Sequence, residues 1–310
     1  MIGNINKSIS ILVLLLAVTI LSGCISQDES QSDASSITPS ITPSAAPSAD
    51  LSGNASGKIS VAATIAPLGE FVKAVGGEKV EVTILIPPGA EPHTFEPSPS
   101  LMVDVAKADL YVMNGAGLEF WMEKLLETNN KMVVVDSSQG TALLQESEDE
   151  IDPHIWLSLR NAAVQVNNIC SGLIEVDAQN KDFYIRNRDD YLGRLKALDG
   201  ELNRTFAGKK IKIFIVQHPA WTYFARDYAL SQVPLMEGEK EPGPKYLGEV
   251  IELARKNNIT TIFVEPQFNP KSAEVISREM NASIVALDPL AGNYLDNMRN
   301  ASMEIAKSLT

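Results

Sequence analysis

Histidine, cysteine and positive charge are all scarce in this chain. Its 310 residues hold three histidines and two cysteines, and 26 Lys and Arg stand against 39 Asp and Glu, for a formal charge of −13. The acidic balance excludes nucleic acid as a partner, because phosphate binding needs clustered Lys and Arg. No apolar run reaches the ~20 residues of a membrane-spanning helix; Ile9–Leu21 falls short. A His-Glu-x-x-His helix, which would pair two zinc ligands with a catalytic base, is also absent.

The N-terminus reads as an export signal. Lys7 precedes the apolar run, which ends at Leu21-Ser-Gly-Cys24, small residues and then a cysteine. This resembles the lipobox at which prokaryotic lipoproteins are cleaved and lipidated, so residues 1–24 are expected to be a lipoprotein signal and Cys24 the lipidation site. An uncleaved anchor is the alternative. Lipidation of Cys24 would leave Cys170 without a disulfide partner, and its run Val164–Ile174 suits buried helical packing. Residues 25–57 are rich in Ser, Thr, Ala and Pro, with the near-repeat Ile37-Thr-Pro-Ser and Ile41-Thr-Pro-Ser. So few large apolar groups cannot offset the entropy cost of ordering, and the segment is expected to be a disordered tether that holds a domain off a membrane surface. Five Asn-x-Ser/Thr sites follow the signal (Asn54, Asn203, Asn258, Asn281 and Asn300), a short pattern that arises often by chance.

Beyond residue 57 the chain is globular, and about 250 residues can bury a sizeable core. Short β-branched runs predict strands at Lys58–Thr64, Val80–Ile86, Leu110–Met113, Met132–Val135, Ile211–Val216, Thr261–Val264 and Ser283–Leu287. Helical periodicity marks Pro67–Val75, Pro99–Ala106, Leu118–Glu127, Leu247–Lys256 and Lys271–Met280. The alternation implies an α/β fold of parallel sheets flanked by helices. Strand signals stop between about 136 and 210, where Asn180–Phe206 carries Phe183, Tyr184, Tyr191, Leu195, Leu198 and Leu202 at helical spacing. A helix of that length runs ~40 Å. It is expected to join two lobes, 58–177 and 209–310, through a linking segment 178–208. Two shorter helices broken at Gly193 or Gly200 are the alternative.

Each histidine touches a proline: Pro92-His93, Pro153-His154 and His218-Pro219. Proline disfavours a helix interior, so these imidazoles are expected on loops or strand ends, where binding residues concentrate. His93 follows a predicted strand, as does His218, and His154 stands at the entrance to a helical segment. Asp288 repeats the strand-end position after Ser283–Leu287. Ligands of open α/β sheets bind beyond the carboxyl ends of strands. Two candidates come from each half, which puts the expected site in the cleft between lobes. Three imidazoles and a carboxylate suit Zn²⁺ in tetrahedral geometry, or Mn²⁺ and Fe²⁺ if the coordination number rises. The acidic run Glu146–Asp152 ahead of His154 reads either as a solvated loop or as a weak cation-collecting antenna.

These segments carry a family resemblance. Pro87-Pro-Gly-Ala-Glu-Pro-His93-Thr-Phe-Glu-Pro, Asp152-Pro-His154-Ile-Trp-Leu and His218-Pro-Ala-Trp-Thr-Tyr-Phe-Ala-Arg resemble the zinc/manganese-type solute-binding proteins of ABC transporters. So do Glu237-Gly-Glu-Lys-Glu-Pro-Gly-Pro and Ile262-Phe-Val-Glu-Pro-Gln-Phe-Asn-Pro, leading into Ala286-Leu-Asp288-Pro-Leu. The resemblance implies two lobes joined by one long rigid helix, and a metal bound between them and delivered to a membrane permease. It implies His93, His154 and His218 as ligands, with Asp288 as the carboxylate of four-ligand members. It further implies a lipid-anchored monomer on the outer face of the cytoplasmic membrane. Manganese-type members often carry Glu at the third position, so His218 favours zinc. Many zinc members have a histidine-rich acidic loop before the second ligand; here the acidity is present without histidine. The competing class is an extracytoplasmic zinc hydrolase, for which Glu91, Glu96 or Glu265 would have to act as base. Surface adhesion, another role the resemblance brings, has no independent support in the residues.

Overall fold

A computed structural model describes residues 57–121, 131–146, 150–236, 240 and 242–309. The export signal, Cys24 and most of the tether lie outside these residues, as do most of the helix expected at Leu118–Glu127 and parts of the acidic run and of the Glu237 motif.

Two four-stranded parallel sheets form the frame. The first contains β1 (Ile59–Ala63), β2 (Val80–Ile84), β3 (Leu110–Met113) and β4 (Val133–Asp136), in the order β2-β1-β3-β4. The second contains β5 (Ile213–Val216), β6 (Ser231–Pro234), β7 (Thr261–Val264) and β8 (Ser283–Ala286), in the order β6-β5-β7-β8. The two sheets thus share one topology, and every pairing within them is parallel. The helices are α1 (Ala66–Gly76), α2 (Pro99–Val105), α3 (Leu159–Val176), α4 (Lys181–Ala207), α5 (Thr222–Asp227), α6 (Pro244–Lys256), α7 (Lys271–Met280) and α8 (Tyr294–Ser308).

Local chemistry sets the helix starts. Proline occupies the first turn of α1, α2 and α6, where its missing N–H costs no intrahelical bond. Ser158 caps α3 by accepting from Asn161 N at 3.1 Å. The long helix is unbroken: α4 runs 27 residues through both Gly193 and Gly200. Its buried stripe is Tyr184, Tyr191, Leu195, Leu198, Leu202 and Phe206; Phe183, also expected in the stripe, is only half-buried, and Phe206 is added at its end.

The strut does not separate two independent cores. One apolar cluster extends from Val61 and Phe71 of the first sheet region, through Tyr191 and Leu198 of α4, to Phe214 and Trp221 of the second. Helix α8 closes it: Tyr294 meets Phe71 edge-on at 4.7 Å, and its backbone N–H donates to Glu70 Oε2 at 2.6 Å. A smaller cluster around Val250, Ile262 and Ile276 lies under α6 and α7. All described residues belong to one compact unit. None of their helices is long and apolar enough to cross a membrane.

The seven predicted strands are all present, with ends shifted by up to two residues. An eighth, β6, was not predicted. Its sequence Ser-Gln-Val-Pro lacks a β-branched run and ends in proline, which a sheet tolerates at an edge, and β6 is an edge strand. Helices α5 and α8 were also unpredicted.

Glycine contacts distinguish tight from open packing. A Cβ on Gly172 of α3 would sit 2.2 Å from Val135 Cγ2, whereas one on Gly193 of α4 would meet nothing within 4 Å. Gly172→Ala is therefore expected to lower stability by about 1–2 kcal/mol, the overpacking cost less the helix-propensity gain. Gly193→Ala is expected to raise it by about 0.5–1 kcal/mol. Urea unfolding of both variants checks the pair; a destabilised Gly193→Ala would contradict the open surface described for α4.

Candidate metal centre

The three histidines come together. His154 Nε2 lies 3.2 Å from His93 Nε2 and 3.2 Å from His218 Nε2. All three ligand atoms fall within 4.8 Å of one another, the one such cluster of metal-binding side chains among the described residues. An ion ~2.0–2.1 Å from each of three nitrogens at tetrahedral angles would space them ~3.3 Å apart. The observed separations match that edge.

Each imidazole is oriented by its own loop. His93 lies in the β2–α2 loop, where the Glu91 carboxylate accepts from His93 N and Thr94 N, both at 2.8 Å. Glu91 is thus occupied in holding the turn. His154 opens the short turn that leads into α3, and Asp152 Oδ1 accepts from both its backbone N at 2.9 Å and its Nδ1 at 2.8 Å. A carboxylate accepts only, so this bond puts the ring proton on Nδ1 and leaves the Nε2 lone pair facing the other two rings. His218 follows β5 directly, and its ring stacks on Phe268 with centroids 4.8 Å apart. His154 and His218 are buried, and His93 is half-buried.

Further bonds clamp the His154 loop from both sheets. Tyr223 of α5 donates to Asp152 O at 2.8 Å, and Asn114, after β3, donates from Nδ2 to Pro153 O at 2.8 Å. Trp156 Nε1 donates to Pro289 O at 2.8 Å, and Tyr294 Oη donates to Trp156 O at 2.6 Å. Beneath Asn114 lies the buried Glu119 carboxyl, which accepts from the N–H groups of Asn114 and Gly115. Burial pushes Glu119 up to about 7 against those bonds.

Asp288 is not brought into the cluster. It follows β8 as expected, but its Oδ1 accepts from Gln267 Nε2 and from Leu290 N, both at 2.9 Å. The cavity at the three imidazoles is lined instead by Glu91, Trp156, Glu265 and Gln267, among others. Glu265 and Gln267 share the loop after β7 with Phe268. Both fall in the Ile262-Phe-Val-Glu-Pro-Gln-Phe-Asn-Pro segment of the family resemblance, but the sequence assigned Glu265 only a possible role as base and gave Gln267 no role; their strand-end position was the available signal. Glu96, the third candidate base, lines a separate cleft with Phe120 and Trp121.

Burial also sets the charge state at the site. His93 is held down to about 3, first by desolvation and then by the neighbouring His154, with Asp152 opposing. Its lone pair is available to a cation without loss of a proton at neutral pH.

A fold of two like parallel sheets, with imidazoles converging from the carboxyl ends of strands in both, defines a solute-binding protein for a metal ion. The comparisons with known proteins agree. Residues 61–308 match the family model ZnuA, described as zinc-uptake complex component A, periplasmic, and the chain belongs to this family. The high-affinity zinc uptake system protein ZnuA of Bacillus subtilis is 33% identical over 253 residues, covering 76% of this chain and 79% of that protein. The manganese-binding lipoprotein MntA of Halalkalibacterium halodurans is 29% identical over 231 residues, covering 73% and 77%. A crystal structure of ZnuA superposes with a TM-score of 0.80 at 37% identity, covering 82% of this chain and all of that one. The chain is therefore a solute-binding protein of an ABC transporter for metal uptake, and the family is not one of enzymes.

Two outcomes follow from the geometry. His93, depressed when folded and near 6.5 when unfolded, contributes stability that is present above pH 6.5 and lost as pH falls toward 3. His93→Leu is expected to flatten that slope, read as urea unfolding of the metal-free protein at pH 7 and pH 5; an unchanged slope would contradict a buried neutral ring. Asp152→Ala is expected to release the Nδ1–H tautomer of His154 and to weaken metal binding about 10–100-fold. Ring-nitrogen NMR and metal titration read the two effects.

Proposed function

We propose that the chain captures Zn²⁺ at His93, His154 and His218, with Asp288 as the fourth ligand, and delivers it to the permease of its transporter. The observation that carries this reading is the approach of three imidazole nitrogens, with His154 Nε2 3.2 Å from both His93 Nε2 and His218 Nε2. Three nitrogen donors favour zinc, whereas Mn²⁺ prefers sites richer in oxygen. The membership in a zinc-uptake family supports the same choice, and a manganese-binding relative makes Mn²⁺ the competing cargo.

The N-terminal sequence supports the setting. Cleavage before Cys24 and lipidation of that residue would tie the domain, as a monomer, to the outer face of the cytoplasmic membrane through the 25–57 tether. Lipoprotein relatives such as MntA are consistent with that anchor.

His154→Ala is expected to remove most Zn²⁺ affinity, at least 100-fold, and to leave the metal-free fold intact, because the sheets and α4 do not depend on the ion. Titration with Zn²⁺ and Mn²⁺ in competition, followed by metal content, tests this. Wild-type affinity in His154→Ala would refute the site, and preferential retention of Mn²⁺ by the wild type would refute zinc as cargo.

A further inference from the structure

Among the described residues, the hydrogen bonds to the Asp288 carboxylate fall on one oxygen. Gln267 Nε2 and Leu290 N both donate to its Oδ1 at 2.9 Å. The loop around it is anchored as well: Asn297 Nδ2 donates to Asp288 O at 2.7 Å, and Trp156 Nε1 donates to Pro289 O at 2.8 Å. A carboxylate oxygen has two lone pairs, so these two N–H groups saturate Oδ1 and leave Oδ2 as the oxygen a cation can use.

Gln267 places a polar amide in the wall of the metal cavity. It lines the cavity of the three imidazoles, and its Oε1 is buried and accepts no hydrogen bond. A buried amide oxygen without a donor is unfavourable, and an apolar side chain of the same length would avoid it. The half of the amide that is used is the Nε2 that reaches Asp288. That bond decides how many oxygens Asp288 can offer. Through Oδ2 alone, three imidazoles and one oxygen make the four-donor tetrahedral set that suits zinc. With both oxygens the set becomes five, with more oxygen, and suits Mn²⁺ better.

We propose that Gln267 is a specificity-determining positioning residue: by occupying Oδ1 it restricts Asp288 to one metal-facing oxygen and tilts the site toward Zn²⁺ over Mn²⁺. The inference rests on Asp288 as the fourth ligand, as read above.

Gln267→Met keeps the side-chain length and removes the donor, and Gln267→Asn withdraws the donor by one methylene without adding apolar surface. Zn²⁺ and Mn²⁺ dissociation constants are measured for the full chain, together with the visible spectrum of the Co²⁺-loaded protein. Both variants are expected to raise the Mn²⁺/Zn²⁺ affinity ratio about tenfold and to weaken the Co²⁺ absorption as coordination rises from four to five. A ratio and spectrum identical to wild type in two folded variants would overturn the proposal. Asp288→Asn separates the two layers. Weaker Zn²⁺ binding in Asp288→Asn with no effect at Gln267 refutes only the role of Gln267. Wild-type binding of both metals in Asp288→Asn refutes the fourth-ligand reading, and this inference with it.

Discussion

The structure turns on three imidazoles packed into a largely buried cleft, with His154 Nε2 3.2 Å from both His93 Nε2 and His218 Nε2. Such a contact cannot persist between protonated rings, and burial meets that condition by holding His93 far below the ordinary histidine range. Asp152 fixes the orientation of His154 through its contact with Nδ1. The nitrogens come from strand ends and a helix entrance, with His93 and His154 held by hydrogen bonds within their loops and His218 by its stacking on Phe268.

That arrangement depends on how the two sheets are joined. The long helix α4 is buried along one stripe, and the apolar cluster it belongs to passes through both sheet regions. Widening the cleft would break the bonds from Trp156 to Pro289 O, from Tyr294 to Trp156 O and from Tyr223 to Asp152 O. It would also expose part of the shared core. The cleft is therefore stiff where His154 and His218 meet. The loop after β7, with Glu265, Gln267 and Phe268, borders the cavity without belonging to the imidazole triad.

Much of this was legible in the sequence, for identifiable reasons. Strands buried on both faces, such as Leu110–Met113 and Thr261–Val264, leave continuous β-branched and apolar runs. The α4 stripe repeats at helical spacing over a length that two isolated glycines do not interrupt. Edge strand β6 left no such trace, since its polar Ser231 and Gln232 and its Pro234 are what an edge tolerates and what pattern reading discounts. Helix α8 was missed although Leu295, Met298, Ser302 and Ile305 lie on its buried side; its asparagines and small residues dilute the apolar signal.

The sequence by itself determined which side chains could bind a metal and the topological positions they would take. With three histidines, each beside a proline, little choice remained, and local backbone chemistry places such residues at element ends. Convergence was decided only by tertiary structure, since positions 61 and 64 residues apart meet through the packing of two sheets on one core. The same holds for Asp288. Its strand-end position was readable in advance, but its oxygen is claimed by Gln267, 21 residues away in the chain. Side-chain hydrogen bonds of that kind follow from which loops the fold sets side by side, and no local pattern encodes them.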